Sequence, residues 1–259
     1  MLNTTPDSFS DGGRNLDPGI AIESGLRMVS EGVDIIDIGG ESTRPYSDPV
    51  DASEEIRRIK PVTESLARQV SVPISIDTSK AEVARAALDA GAEIINDVTG
   101  LEGDVDMVDV ARDSNAGVCV MHMRGTPQTM QDDPRYDDVV RDIFEYLKKR
   151  LEWCLEQGLE SQRICLDPGI GFGKTHEHNL GLLRNMRAFL ELDRPILIGH
   201  SRKGFIGKLL GNKEADRTYG TLGVTLAVAA AGMHVVRVHD VAASVQALKL
   251  FASCGGLEG

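Results

Sequence analysis

Cysteine is scarce in this chain, and the few thiols are spaced unlike metal ligands. Cys119, Cys154, Cys165 and Cys254 show no C-x-x-C pair, so no zinc or dithiol motif is expected. Cys119 and Cys165 fall in apolar runs where a thiol acts as a small buried hydrophobe. This usage fits a reducing, cytoplasmic compartment. Positive charge is also short: 28 Lys and Arg stand against 40 Asp and Glu, a formal charge of −12. Such a balance argues against nucleic acid or an anionic membrane as partner. An anionic small substrate would need a local cationic pocket. Long hydrophobic runs are missing, so no membrane-spanning helix is expected. No basic stretch leads into an apolar one at the start, so no secretory signal is expected either. Pro/Ser-rich linkers and low-complexity tracts are absent too, which predicts one domain across the 259 residues, 1–259.

What the chain does contain is a repeating unit: a β-rich apolar run ending in polar or Gly residues, then an amphipathic helix. The runs are "VDIIDIGGES" (33–42), "VPISIDTS" (72–79), "AEIINDVTG" (92–100), "AGVCVMHM" (116–123), "RICLDPGIGFG" (163–173), "RPILIGHSRKG" (194–204) and "MHVVRVHD" (233–240). Unbroken Val/Ile/Leu runs suit parallel strands buried on both faces. Helix starts are signalled by Asp51 with Glu54 and by Ser79 with Glu82, and stops by Gly91 and Gly158. With a stub around Leu2, the seven runs make eight units and predict an α/β fold, a (β/α)8 TIM barrel. An open doubly wound sheet is the alternative; pairing of the last strand with the first separates the two. Only Met1 and Leu2 precede Asn3, so either the barrel closes on a very short strand or residues are missing upstream.

In a barrel the chemistry sits at the C-terminal strand ends. Those ends collect Asn3; Glu41, Ser42, Thr43 and Arg44; Asp77; Asn96 and Asp97; His122; Asp167; Lys203; Arg237 and His239. Asp240 and Asp97 read as caps. Asp77, Asn96, Asp167 and Lys203 each follow an apolar strand, and several acceptors with one ammonium suit a flat heterocycle carrying N–H and C=O groups. Arg237 and His239, two residues apart, share a face. With Arg44 and Asn3 they form a candidate clamp for a phosphate or diphosphate. "GIGFGK" lacks the spacing of a nucleotide P-loop. His176 and His178 read as solvated loop histidines. Gly204 and Phe205 begin a helix whose free N–H groups favour an anion. "YGTLGVTLAVAAAG" (219–232) reads either as close packing on the barrel or as a subunit contact.

"LNTTPDSFSDGG", "GGESTRP", "IDTSK", "IIND", "MHMRGTPQTMQ", "LDPGIGFGK", "SRK" and "RVHD", in this order, resemble the dihydropteroate synthase family of pterin-binding barrels. The resemblance spans nearly the whole chain. It implies condensation of 6-hydroxymethyl-7,8-dihydropterin diphosphate with 4-aminobenzoate, releasing diphosphate with Mg²⁺ assistance and no covalent nucleophile. By resemblance, Asp77, Asn96, Met121, Asp167, Phe172, Lys203 and Arg237 bind the pterin. Asn3, Thr43, Arg44, Arg237 and His239 hold the diphosphate, with Asn3 on Mg²⁺. Phe9, Pro45, Lys203 and Gly204 frame the aminobenzoate, and Asp7 meets a cationic intermediate. Asp7, Asp77, Asp167 and Lys203 are then the catalytic candidates. Sulfonamides are expected to compete for the aminobenzoate pocket, and a homodimer is expected. Gly204 departs from the family pattern, where Ser is frequent, so the aminobenzoate carboxylate would rely on backbone amides there. The "TPDSFSDGG" and "RVHD" segments separate this family from methyltetrahydrofolate:corrinoid methyltransferases, which need no diphosphate clamp.

Overall fold

The computed structural model describes residues 1–5 and 17–257. Along the chain come β1 (Leu2–Asn3), α1 (Pro18–Ser30), β2 (Ile36–Gly39), α2 (Ala52–Ala67), β3 (Ile74–Asp77), α3 (Ala81–Asp89), β4 (Ile94–Asp97) and α4 (Met107–Asp113). There follow β5 (Gly117–Met121), α5 (Val139–Glu156), β6 (Ile164–Asp167), α6 (His176–Arg184), β7 (Leu197–Ile198), α7 (Gly204–Leu209), α8 (Thr218–Ala230), β8 (Val235–Val236) and α9 (Val241–Ser253). Every apolar run named from the sequence contains one strand, and each strand is shorter than its run. The residues left over beyond the strand end supply the loops at the barrel mouth.

Strands β1 to β6 lie side by side in chain order, all parallel, and β7 pairs with β8. A bridge between Leu166 and Ile196 carries the sheet from β6 towards β7. At the other seam the Met1 nitrogen donates to the Val238 carbonyl at 2.9 Å. An order that never reverses, with the residue before β1 bonded to one just past β8, is that of a (β/α)8 barrel; a doubly wound sheet would reverse at a switch point. β1 is two residues long and pairs with β2. Among the described residues no helix is long and apolar enough to cross a membrane.

Side-chain alternation sorts the strands into two faces. Ile36, Ile38, Ile74 and Ile76 point outward into one apolar cluster with Ala21, Ile59, Val62 and Leu66 of α1 and α2. Ile95, Val118, Val120, Ile164 and Leu166 do the same in a second cluster with Ile143 and Leu147 of α5. Each such fully buried side chain contributes about 1.5–3 kcal/mol of apolar burial. The residues between them, including Asp37, Ser75, Asp77, Asn96 and Asp167, are left for the barrel interior and are all buried.

The helix ends carry two corrections. Asp51 caps α2 through Glu54 N, as its spacing predicts. Ser79 does not cap α3: Lys80 holds the cap position, and Ala81 N donates instead to Asp104 Oδ2 at 2.8 Å. A carboxylate from the next loop reaches the orphan donor that a local hydroxyl was expected to take. His178 is no solvated loop residue either. Its N–H donates to Thr175 Oγ1 and its Nδ1 accepts from Thr175 N, a reciprocal cap that starts α6. Asp240 caps α9 through Ala243 N, whereas Asp97 closes a turn by accepting from Thr99 and Leu101.

Candidate active site

The strand ends open into a cavity of about 870 Å³. Arg44, Arg202, Lys203, Lys208, Arg217 and Arg237 line it against the carboxylates of Glu41 and Asp77. The acidic protein thus concentrates positive charge at one mouth, as an anionic substrate requires.

On the floor, Arg237 bridges two carboxylates. Its Nε donates to Asp37 Oδ2 at 2.6 Å and its Nη2 to Asp77 Oδ2 at 2.5 Å. Burial opposes the guanidinium charge, but the two carboxylates hold it well above its ordinary value. Asp37 resists its own burial through Arg237 and a hydrogen bond from Ser75, and stays below the usual carboxylate range. Asp77 behaves oppositely: burial pushes it up to about 7, with Arg237 opposing. Among the described residues its buried Oδ1 has no hydrogen-bond partner, an acceptor left over for a ligand. Asn96 reaches both Asp37 oxygens through Nδ2, at 3.4 and 3.5 Å.

Across the barrel, Asp167 Oδ1 accepts from Gly169 N at 2.7 Å. Burial raises its carboxyl to about 6, countered by that N–H and by Lys203, Lys174 and Arg237. Burial likewise pulls Lys203 down to about 8, with Asp167 opposing. The Lys203 Nζ stands 3.9 Å above the Phe172 ring centroid, a cation–π contact. Phe172 packs with Val98, Met121 and Met130 in a small apolar cluster separate from the two core clusters. Lys203 follows Arg202, whose positive φ of 57° is secured by Thr221 Oγ1 on its N–H and Arg217 Nη1 on its carbonyl. This backbone turn aims the lysine into the barrel.

The anion candidates fall at the rim. Thr43, Arg44 and Pro45 lie on the loop after β2 and line the cavity. That loop is anchored by Glu41, which accepts from Val50 N and pairs with Lys80 at 2.5 Å; Lys80 also pairs with the fully buried Glu55 at 2.7 Å. His239 accepts or donates at Nδ1 to Ser201 Oγ, 2.9 Å away. Burial, then Arg202 and other nearby cations, push its imidazole down to about 3. His239 is therefore neutral and offers a hydrogen bond, not the second charge that its pairing with Arg237 suggested. Asn3 sits beside Gly39, where an added Cβ would lie 3.8 Å from Asn3 Oδ1 and 3.7 Å from Asp77 Oδ2. Gly204 opens α7, and among the described residues nothing lies within 4 Å of where its Cβ would be.

The structure brings Asn3, Thr43, Arg44, Pro45, Asp77, Phe172, Lys203, Gly204, Arg237 and His239 onto one cavity wall. Asn96, Met121 and Asp167 do not line that wall; they are more than nine-tenths buried at the ends of β4, β5 and β6. Asp7 and Phe9 lie outside the described residues. Sequence reasoning missed Asp37, because it stands in mid-strand and not at a polar strand end. Its signal was a carboxylate inside an otherwise apolar run, two residues from a glycine pair.

Parallel barrel, buried acceptors and cationic rim define an enzyme that grips a flat heterocycle bearing an anionic group. The model of the family described as pterin binding enzymes matches residues 1–239. Dihydropteroate synthase of Escherichia coli K12 is 42% identical over 250 residues, covering 96% of this chain and 88% of that protein. A dihydropteroate synthase structure from Yersinia pestis with a sulfonamide drug complex matches with a TM-score of 0.91 at 40% identity, covering 98% of this chain and 91% of that one. The Xanthomonas albilineans dihydropteroate synthase in complex with 7,8-dihydropteroate matches with a TM-score of 0.87 at 39% identity, over the same shares of the two chains. The chain belongs to the pterin-binding enzymes and, among them, to the dihydropteroate synthases.

Proposed function

We propose that this chain condenses 6-hydroxymethyl-7,8-dihydropterin diphosphate with 4-aminobenzoate to give 7,8-dihydropteroate and diphosphate, a transferase step of folate biosynthesis. The observation that carries the proposal is the meeting of Asp77, Asn96, Asp167 and Lys203 beneath one cation-lined cavity. Asp167 accepts N–H groups of the pterin, and Asp77 offers its unpartnered Oδ1 to another. Asn96 presents both a donor and an acceptor, and Lys203 donates to the ring carbonyl. Met121 and Phe172 supply the apolar walls of the slot.

The leaving group departs towards Arg44, Thr43 and Arg237, whose donors neutralise the diphosphate as its charge grows. The pterin methylene left behind is electron-poor, and the aminobenzoate nitrogen closes the new C–N bond. Positioning and charge neutralisation suffice, so no covalent nucleophile is required. The aminobenzoate carboxylate meets the Gly204 end, with Pro45 across from it. Sulfonamides compete there. Asp7 and Phe9 keep the roles that the family resemblance implies.

Magnesium fits this site in one way. Among the described residues no three His, Cys, Asp or Glu side chains gather into a metal cage. Mg²⁺ is commonly held by few protein oxygens, waters and substrate phosphates, and Asn3 Oδ1 beside Asp77 is such an oxygen. When bound it would supply charge to the diphosphate, with Asn3 as the protein ligand.

The reading extends to a cytoplasmic homodimer. Helix α8 buries only Thr221, Thr225 and Val228 of its thirteen residues, and α9 only Val241 and Ser244. Tyr219 and Leu250 on these mostly apolar helices are 81% and 66% exposed. A second copy is the occupant that would cover them. The catalytic reading is tested by incubating the protein with both substrates and Mg²⁺ and separating products by chromatography. A peak of 7,8-dihydropteroate is expected; its absence with folded protein would sink the proposal.

A further inference from the structure

One buried amine in the cavity wall has no part in the chemistry above. Lys174 is 2% exposed, and its Nζ meets the Phe172 carbonyl at 2.8 Å, His122 Nδ1 at 3.0 Å and the His122 carbonyl at 3.4 Å. Three ammonium hydrogens face three neutral acceptors, and no carboxylate pairs with the amine among the described residues. Burial drives its pKa well below the ordinary lysine value, with Asp167 opposing and Lys203 adding to the fall. A lysine buried on these terms costs stability unless its contacts do compensating work.

The surroundings show what that work is. Residues 169–173 are pressed between the β5 loop and the Lys203 stem. A Cβ on Gly169 would fall 2.0 Å from the His122 carbonyl oxygen, and one on Gly173 2.5 Å from the Arg124 carbonyl oxygen. A Cβ on Gly171 would fall 2.8 Å from Lys203 Cδ. Both glycines beside the β5 loop have positive φ, 69° and 63°. Backbone carbonyls crowded this closely need donors that reach both loops, and Lys174 bonds one carbonyl from each. Tyr136 Oη and Gln131 Nε2 donate to the Gly173 and Gly171 carbonyls at 2.8 Å. The ring that this loop carries is Phe172, against which Lys203 rests.

We propose that Lys174, anchored on His122, is a positioning residue for the pterin end of the site: it fixes the Phe172 ring and, through that ring, the Lys203 ammonium. This rests on the pterin-binding reading above. The charged groups facing Lys174 are Asp167 on β6 and Lys203 at the start of α7.

The test is calorimetric titration with 6-hydroxymethylpterin, followed by steady-state kinetics. Lys174→Met keeps the stem and removes all three donors. It should raise the pterin Kd about tenfold and the KM for 4-aminobenzoate by less, because Phe172 and Lys203 both meet the pterin and only Lys203 reaches the aminobenzoate. Adding Phe172→Leu to it should cost less than Phe172→Leu costs alone, because the ring is already displaced. Lys174→Gln, which keeps two N–H donors on a shorter arm, should lose about threefold and gives the same comparison if Lys174→Met does not fold. Variants that bind pterin like the parent, additive effects with Phe172→Leu, or equal losses for both substrates overturn the proposal. A parent protein that does not bind pterin sinks the function itself, a different outcome from a parent that binds and variants that match it.

Discussion

Asp167 shows what a residue gives up to serve a site. Burial holds its carboxyl at about 6, above the ordinary aspartate value, so the charged form is disfavoured in the folded protein. Below the unfolded value both states are protonated; between there and about 6 the folded state keeps the proton that the unfolded state releases. The contribution of Asp167 to stability therefore falls as pH rises through that window. Asp167→Asn keeps the acceptor for Gly169 N and removes the buried charge. It should weaken pterin diphosphate binding by at least about tenfold, because an acceptor-only group now also donates. Its thermal midpoint near neutral pH should equal or exceed the parent's. A lowered midpoint with unchanged binding would place Asp167 outside the site. The same groups set a pH profile. In the proposed site Asp167 would accept N–H as a carboxylate, above about 6, and Lys203 would donate as an ammonium, below about 8. Pterin affinity should fall off on both sides of that window, and calorimetric titrations across both limbs will show it. Asp77, Arg237 and Lys174 face the same floor, so a single-limbed profile would mean that another group governs binding.

At the scale of the element, the short strand with a long polar end is the device that builds the mouth. Strand positions were legible in the sequence because unbroken Val/Ile/Leu runs suit a doubly buried parallel sheet. The strand-end polar residues were legible for the same reason, since Asp77, Asn96 and Asp167 interrupt those runs. Asp37 was not, because its place inside β2 looked like core; only the alternation of faces turns it inward onto Arg237 and Asn96. The α3 cap was misread because its acceptor, Asp104, comes from another loop. Long-range partners of this kind leave no local spacing. The loop after β2 depends on one as well: Lys80 ties Glu41 to Glu55, and Glu55 is 0% exposed. Lys80→Met should cost about 3 kcal/mol in urea unfolding, since it strands a buried carboxylate. It should also raise the KM for pterin diphosphate more than that for 4-aminobenzoate, because Thr43 and Arg44 ride on that loop. Loss of stability with no change in either KM would separate the anchor from the anion site.

Across the whole molecule, the charge distribution and the two apolar helices answer different needs. A formal charge of −12 coexists with a mouth lined by seven Arg and Lys side chains, so attraction of an anion is local and not a property of the protein at large. The helices α8 and α9 lie on the other account: their exposed Tyr219 and Leu250 should meet a second copy. Light scattering after size exclusion should give a dimer for the parent and a shift to monomer for the Tyr219→Asp, Leu250→Lys pair; a monomeric parent would contradict this. Helix α8 also holds the Lys203 loop, since Thr221 Oγ1 accepts from Arg202 N and Thr225 Oγ1 bonds the buried His200 at 2.8 Å. Packing at the periphery and placement of Lys203 are therefore built from one helix. This mouth should transfer a pterin methylene from diphosphate to an arylamine. Diphosphate release, followed with each substrate omitted in turn, tests it most directly. Release should keep step with 7,8-dihydropteroate formation, occur only when both substrates are present, and be strongly diminished in Asp167→Asn. Folded protein that releases no diphosphate with both substrates and Mg²⁺ present would contradict it.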